Sequence, residues 1–258
     1  MIVEELHLRV RVTGIGLLTP EGVGAIGHAP APGKVPGFKP REHIPDRKRI
    51  KLMNRAVQLG VAAAGSALKD HGDIDSVPPP RRAFFVGATP QTTHRDLQSA
   101  LESSSKDGEF SLQAFAENGV QRIHPLWLVR GLSNNILGFG SAFWNFQGVN
   151  SNYCHGEEGG WLAIVEGARA LEEGRADIAL VGGADDFTHA EHLLGTPGSE
   201  GAAFLLLERE EGPGISLSRT ELAGWVEGFG PLGAAKWPVA LGRMLLSERG
   251  GGTQHTAG

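Results

Sequence analysis

One uninterrupted stretch in the middle of the chain constrains the fold more than any other feature. Residues Val149 to Tyr153 indicate a strand, and Gly156 to Gly160 then open a helix of small residues that runs to about Glu173. Gly174 stands where helices commonly end, and Ala176 to Val181 has the length and composition of a buried strand. A strand, a tight turn, a helix and a second strand in this order predict an α/β fold with close packing.

The rest of the chain adds strands and helices in a similar order. The predicted strands are Leu8 to Thr13, which Gly14-Ile15-Gly16 ends, Ala83 to Gly87, Ala202 to Glu208 and Glu221 to Phe229. The predicted helices are Arg49 to His71, Leu132 to Trp144 and Pro238 to Glu248. A less regular helix is predicted over residues 99–118, with an exposed loop around Ser103 to Gly108. Gly182 and Gly183 are expected to close the strand before them, and Ala202 to Glu208 is expected to pair antiparallel within the same sheet.

Composition excludes several classes of partner and compartment. A formal charge of −5 and the lack of a basic run of useful length predict no nucleic-acid partner and no membrane partner. The single cysteine, Cys154, rules out an internal disulfide framework, and the first residues lack the pattern of a signal peptide. Charged or polar residues interrupt every apolar run before about 18 residues. We therefore expect a soluble, cytoplasmic protein without a cofactor.

Several motifs together resemble those of the β-ketoacyl synthases, which are condensing enzymes of the thiolase fold. The opening Val12-Thr13-Gly14-Ile15-Gly16-Leu17-Leu18-Thr19-Pro20 is similar to the first strand and turn of that family. The central match comprises Gly148 to Ser151, the glycine-rich turn with its helix, and Gly174 to Asp185. The run from Gly198 to Glu208 resembles the hairpin that ends the first half of these enzymes. The resemblance covers roughly residues 8–210.

The resemblance implies an α/β, thiolase-like fold that holds mainly the first βαβαβαββ half, with a truncated second half. Residues 1–212 would form the synthase N-terminal-like domain. Residues 213–249 would be a remnant of the second half with one strand and one helix, and residues 250–258 a disordered tail. In the family the second half supplies two histidines and an oxyanion-hole donor, for which this chain has no room.

The resemblance also assigns the position of the catalytic cysteine. In the synthases this cysteine begins the central helix and receives the acyl chain from a carrier protein. Counting back from Gly174, and matching Gly160 to the glycine three places after the nucleophile, puts Glu157 at this position. Cys154 falls three residues too early. A carboxylate does not accept and pass on an acyl thioester as a thiolate does, so condensation by this chain alone is not expected.

Chain-length factors of type II polyketide systems, and the short chain-length-factor-like proteins of polyene pathways, lack this cysteine and pair with an active synthase. The resemblance therefore implies a non-condensing, chain-length-factor-like partner of a β-ketoacyl synthase in fatty-acid or polyketide-type biosynthesis. Many of these proteins carry Gln where this chain has Glu157. Either burial raises the pKa of Glu157, or a basic group from a partner compensates its charge. An acyl carrier protein would be a further partner.

Two other functions stay open. One is an enzyme that acts on acyl-carrier thioesters, by malonyl decarboxylation or by hydrolysis, through Glu157 or through Cys154 with His155. However, Cys154 also reads as a small buried residue of a strand, and adjacent strand residues point to opposite faces. Glu157 and Glu158 also suit the first turn of a helix without any catalytic role. The other open function is a homodimeric acyl-binding protein.

A metal site is not predicted. Asp185 and Asp186, with His189 and His192, contain the ligand types of a metal site, but such residues at the end of a strand are more often solvated.

A dimer is predicted from the central helix. Its small residues permit close packing on two sides, and the missing second half is expected to leave its outer face without a cover. In the family, the strand that corresponds to Val149 to Tyr153 pairs across the subunit interface. The predicted interface residues, toward a synthase or a second copy, are Asn135, Phe139, Asn150, Ser151, Asn152 and Tyr153.

Overall fold

The computed structural model describes residues 5–27, 31–90 and 94–251. Two compact units divide the chain: one comprises residues 1–89 and 133–258, and the other comprises residues 90–132.

The strands are β1 (Glu5–Leu8), β2 (Val10–Thr19), β3 (Gly22–Val23), β4 (Arg82–Gly87), β5 (Ser105–Lys106), β6 (Glu109–Phe110), β7 (Asn150–Tyr153), β8 (Ile178–Asp186), β9 (Glu200–Arg209) and β10 (Ile215–Ser218). The α-helices are α1 (Pro40–His43), α2 (Arg55–His71), α3 (His94–Glu102), α4 (Leu112–Ala114), α5 (Trp127–Arg130), α6 (Asn135–Trp144), α7 (Glu157–Glu172), α8 (Glu191–Leu194), α9 (Arg219–Gly224) and α10 (Lys236–Gly251). Short 3₁₀ turns include Arg49–Leu52, Ile74–Ser76, Pro79–Arg81, Val120–Arg122 and Gly233–Ala235, and Phe115–Gly119 is a π-helical turn.

A six-stranded mixed sheet forms the centre of the larger unit, with the strand order β3-β2-β9-β8-β4-β7. Strands β8, β4 and β7 run parallel to each other, and β9 runs antiparallel to both of its neighbours, β2 and β8. The predicted antiparallel pairing of the strand at residues 202–208 is confirmed. Strands β1 and β10 pair antiparallel in a separate two-stranded ribbon.

Helices cover both faces of this sheet. Helices α2 and α6 pack on one face, and α7 and α10 pack on the other. Strand β9 shows the consequence, because Ala203, Leu205 and Leu207 belong to the core under α7 while the residues between them belong to the core under α2. Burial on both faces explains why these strands read as continuous apolar runs. The fold class predicted from the sequence, α/β with a thiolase-like first half, describes this architecture.

Two predicted strand ends are wrong. Strand β2 continues through Gly14 and Gly16 to Thr19, with a bulge between Val12 and Gly14. A Cβ atom at Gly16 would lie 1.9 Å from the carbonyl oxygen of Ala63 in α2, so this glycine serves close packing of a helix on the strand. Strand β8 likewise continues past its two glycines to Asp186.

The predicted strand over residues 221–229 is also wrong, because this segment begins with helix α9. The Ser218 side chain accepts a hydrogen bond from the Glu221 amide at 3.4 Å and thereby caps the helix. The last helix is confirmed, although it begins earlier and ends later than predicted. Of the predicted disordered tail, residues 250 and 251 belong to α10, and residues 252–258 lie outside the described part of the chain.

Over residues 99–118 we predicted a helix with an exposed loop around Ser103 to Gly108; the exposed loop is present, but the helix is not continuous on either side of it. Helix α3 ends at Glu102, and β5 and β6 form a hairpin whose turn is Asp107-Gly108, with positive φ angles of 57° and 86°. Asp-Gly is a strong signal for such a turn, because both central residues need positive φ.

Candidate functional site

The amino end of α7 forms a sharp elbow after strand β7. Cys154 and His155 follow the strand, and Gly156 turns the chain with φ 54° and ψ −132°, a conformation that favours glycine. Glu157 is the first residue of the helix, as the sequence predicts. Gly156 has no side chain that could cap the helix. The negative charges of Glu157 and Glu158 in the first turn instead stabilise the positive end of the helix dipole.

A lysine of the same chain compensates the charge of Glu157. Lys236, the first residue of α10, places Nζ 2.6 Å from Glu157 Oε2, and the Glu157 side chain is 47% exposed. The basic group therefore comes from residue 236 of this chain, whereas the sequence led us to expect burial or a partner.

An arginine compensates Glu158 in a more buried setting. Arg219 Nη1 and Nη2 donate to the two Glu158 oxygens at 2.9 and 2.5 Å, and the arginine side chain is 8% exposed. Its guanidinium carbon lies 5.2 Å from the ring centre of Trp161 and 4.4 Å from that of Trp237. The ion pair is thus bidentate and is supported by two cation–π contacts.

The C-terminal segment, residues 213–251, covers the outer face of α7. A Cβ atom at Gly160 would lie 2.1 Å from the carbonyl oxygen of Ala234 and 2.6 Å from Pro238 Cδ, so the two backbones are in direct contact. The expectation that this face lacks a cover within the chain is wrong. The dimer that we inferred from it stays a prediction, which now depends on the exposed edge of the sheet.

Cys154 is exposed, and it lies beyond the end of β7. Its interpretation as a buried strand residue is therefore wrong. Its sulfur lies 3.1 Å from Ser133 Oγ and 3.2 Å from Asn152 Nδ2, whereas His155 uses its backbone oxygen to accept from the Glu158 amide. Among the described contacts, the thiol and the imidazole of His155 form no hydrogen bond with each other, so no nucleophile–base pair is assembled here.

The acidic residues at the end of β8 have structural partners. Asp185 is fully buried and accepts from the Thr89 amide at 2.9 Å and from the Ala234 amide at 2.6 Å. Asp186 accepts from the Thr188 amide and hydroxyl at 3.0 and 2.6 Å. No group of three side chains with metal-ligand chemistry comes together within the described residues.

One protein family and several solved structures match this chain. The profile of the family described as β-ketoacyl synthase, N-terminal domain, matches residues 33–197, which is more than half of the chain. The chain belongs to the β-ketoacyl synthase family. The match includes β4, β7, α7 and β8, and therefore the elbow that bears Glu157.

Three solved β-ketoacyl synthase structures share the fold. The AntDE:AntF complex, a type II polyketide acyl carrier protein with its ketosynthase, aligns at 22% identity and a TM-score of 0.62, over 79% of this chain and 64% of that chain. The ishigamide ketosynthase/chain length factor aligns at 22% identity with a TM-score of 0.64, over 79% of this chain and 59% of that chain. The ketosynthase ApeO with its chain length factor ApeC, from Xenorhabdus doucetiae, aligns at 15% identity with a TM-score of 0.54, over 80% of this chain and 59% of that chain. The aligned part thus spans about three fifths of each of these longer chains.

Strand β7 forms one edge of the sheet of this synthase-type domain and pairs only with β4 among the described strands. Of its four residues, Asn150 is exposed and the other three are partly buried. Burial raises the pKa of Tyr153, with a smaller opposing effect of its hydrogen bond with Ser151. In the preceding helix the ring of Phe139, another predicted interface residue, stacks on Phe143 with 6.2 Å between the ring centres.

Asn135, the remaining predicted interface residue, begins α6 and is partly buried. The predicted interface residues thus all belong to β7 or to the helix before it, and an unpaired sheet edge is a surface on which another strand can add.

A basic segment was missed by the sequence analysis, which counted only uninterrupted runs of charge. Residues 34–51 hold seven lysines and arginines against two acidic residues, whereas the whole chain carries −5. The cationic residues of this segment, all exposed, are Lys34, Lys39, Arg41, Arg47, Lys48, Arg49 and Lys51. Ion pairs within the segment, Lys39–Glu42 at 3.3 Å and Arg49–Asp46 at 3.2 Å, use only two of these cations. A charge count over a window of residues reveals this signal.

No helix of the described residues is both long and apolar enough to cross a lipid bilayer.

Proposed function

We propose that this chain is a non-condensing subunit, similar to a chain-length factor, that binds a β-ketoacyl synthase in fatty-acid or polyketide-type biosynthesis. The observation that carries the proposal is the carboxylate of Glu157 at the start of α7, in an ion pair with Lys236. Acyl transfer at this position needs a nucleophile that forms and releases a thioester. A carboxylate neutralised by an ammonium group provides none.

The enzyme alternative has less support from the geometry. Hydrolysis through Cys154 requires a base that removes the thiol proton, and the nearest polar contacts of the sulfur are a hydroxyl and an amide. We expect Glu157→Ala and Cys154→Ala each to leave product formation by the pathway unchanged. Loss of product with either variant, at an unchanged protein level, would favour the enzyme.

The exposed edge of β7 supports a partner that adds a strand. The carbonyl groups of Val149 and Tyr153 accept from amides of β4 and the residue that follows it. Alternate residues of a strand form backbone hydrogen bonds on the same side. The backbone N–H and C=O groups of Asn150 and Asn152 therefore point away from β4. A partner strand would bond to these two residues and extend the sheet across the interface.

This partner contact is tested with two variants at one position. Proline at position 152 removes the backbone N–H that points away from β4 but removes no hydrogen bond to β4. Prolines are tolerated at strand edges. We expect Asn152→Pro to weaken co-purification with the synthase of the same organism by about tenfold or more. Asn152→Ala retains the backbone N–H and should bind nearly normally. Both variants lose the same side-chain contacts, so equal binding by the two would contradict strand addition.

The solved complexes support the kind of partner. The structurally similar proteins include two ketosynthase/chain-length-factor pairs and one ketosynthase with its acyl carrier protein. A synthase is therefore the partner that we propose first, and a second copy of this chain is the alternative outcome of the same co-purification experiment.

An acyl carrier protein is the second proposed partner, and the basic segment at residues 34–51 is its proposed contact. An acidic protein would approach this segment faster and bind it more tightly at low salt. We expect Lys48→Glu with Lys51→Glu to reduce binding of the organism's acyl carrier protein and to flatten its salt dependence, measured by titration at several ionic strengths. Lys106→Glu, an exposed change in the smaller unit, is the control. Equal loss with the control would argue against a local contact.

A further inference from the structure

The C-terminal segment lies directly on the amino half of α7, where a condensing enzyme of this family holds its acyl group. Besides the contact at Gly160, a Cβ atom at Gly183 of β8 would lie 2.3 Å from the carbonyl oxygen of Ala234. Residues 233–238 therefore touch the glycine backbones of both the helix and the strand. At these two contact points the backbones are too close for a hydrocarbon chain to pass between them.

We infer that the C-terminal segment seals the glycine face of the first turns of α7 against acyl chains, and that the ion pairs of Arg219 and Lys236 hold the segment in place. This inference rests on the proposed non-condensing role and extends it, because it assigns a sealed site to the chain itself. Any acyl group that a synthase complex carries would then lie outside this site.

Charge complementarity supports this attachment of the segment. The two carboxylates of the first turn of α7 are each matched by one cation of the C-terminal segment, Glu157 by Lys236 and Glu158 by Arg219. Arg219 is the stronger element, because its charge is nearly buried and bonds both carboxylate oxygens. Lys236 is closer to the surface, and solvent screens its ion pair.

A buried hydrogen-bond network closes the other side of the segment. Asp185 at the end of β8 accepts from the amide of Ala234 and from the amide of Thr89, which follows β4. One carboxylate thus ties the C-terminal segment to two strands of the central sheet. Opening the segment would remove the Ala234 amide from this carboxylate and the Glu158 carboxylate from the guanidinium of Arg219, so we expect the segment and the start of α7 to open together.

Hydrogen–deuterium exchange of the full chain, without any synthase, tests the inference. We expect slow exchange in residues 159–163, where α7 becomes buried, and in residues 233–245, and no change with millimolar octanoyl-pantetheine. Arg219→Met should accelerate exchange in both ranges by about tenfold, which corresponds to about 1.4 kcal/mol. Arg175→Met is the matched control, because Arg175 forms an exposed ion pair with Glu173 near the other end of α7.

Two results would overturn the inference. The first is protection of residues 159–163 by octanoyl-pantetheine in the unmodified chain, since a sealed site does not bind it. The second is faster exchange in only one of the two ranges after Arg219→Met. If that variant does not fold, Glu158→Gln keeps the tryptophan contacts and should give the same paired response with a smaller amplitude. Because no synthase is present, failure of the proposed partner role does not affect this measurement.

Discussion

Adding one methyl group at Gly160 tests whether the C-terminal segment lies on α7. Gly160→Ala places a Cβ atom 2.1 Å from the carbonyl oxygen of Ala234, which is backbone and cannot move aside as a side-chain end can. Overpacking of this kind costs about 1–3 kcal/mol, and we expect the upper part of that range here. The matched control is Gly138→Ala in α6, where a Cβ atom would meet nothing within 4 Å.

Both substitutions replace a helical glycine by alanine, so both gain about 0.5–1 kcal/mol from helix propensity and this gain cancels in the comparison. The difference between the variants is then the packing cost, and about 3 kcal/mol corresponds to a difference in Tm of about 6–12 °C in a chain of this size. Thermal unfolding followed by circular dichroism, with urea unfolding as a second measure, gives the difference. A Gly160→Ala protein as stable as Gly138→Ala would refute the direct contact between α7 and residues 233–238.

Three further predictions concern the ion pairs and the thiol. Glu200→Gln removes the charge of a fully buried carboxylate that pairs with Arg55, so we expect a loss of about 3 kcal/mol in the free energy of urea unfolding, and a change below about 1 kcal/mol would contradict the pair. The hydrogen bond from Arg81 lowers the pKa of Asp177 in the folded state, so this pair stabilises the protein above the pKa of the unfolded carboxyl, and the contribution disappears as the pH falls through the folded pKa. Arg81→Met should therefore lower the urea midpoint slightly at neutral pH and not at strongly acidic pH, and a constant difference across this range would count against the assignment. Cys154 should react completely with a small maleimide in the native protein, as mass spectrometry would show, because the thiol is exposed, and slow labelling would indicate a buried thiol.

Local patterns were sufficient for much of the fold. The helix that begins at Glu157 and stops before Gly174 follows from short-range signals, because the capping glycine has the positive φ of 68° that such a position requires. The position of Glu157 at the first turn follows from counting along the same helix. Other local signals were present and overlooked. The pair Asp107-Gly108 indicates a hairpin turn, and Ser218 followed three residues later by Glu221 indicates the start of a helix.

The sequence by itself determined the fold class, the order of the central elements and the residue that stands at the start of α7, since each depends on residues close together in the chain. Only the tertiary structure decided what surrounds that residue. The partners of Glu157 and Glu158 lie 79 and 61 residues away in the chain. No local sequence pattern at Lys236 or Arg219 indicates these distant contacts. The same holds for Gly16 and Gly183, which local rules assign to turns and which the fold uses inside strands to admit a helix and a carbonyl group. Burial and ion pairing depend on which surfaces meet in space, and short-range sequence patterns carry little information on that.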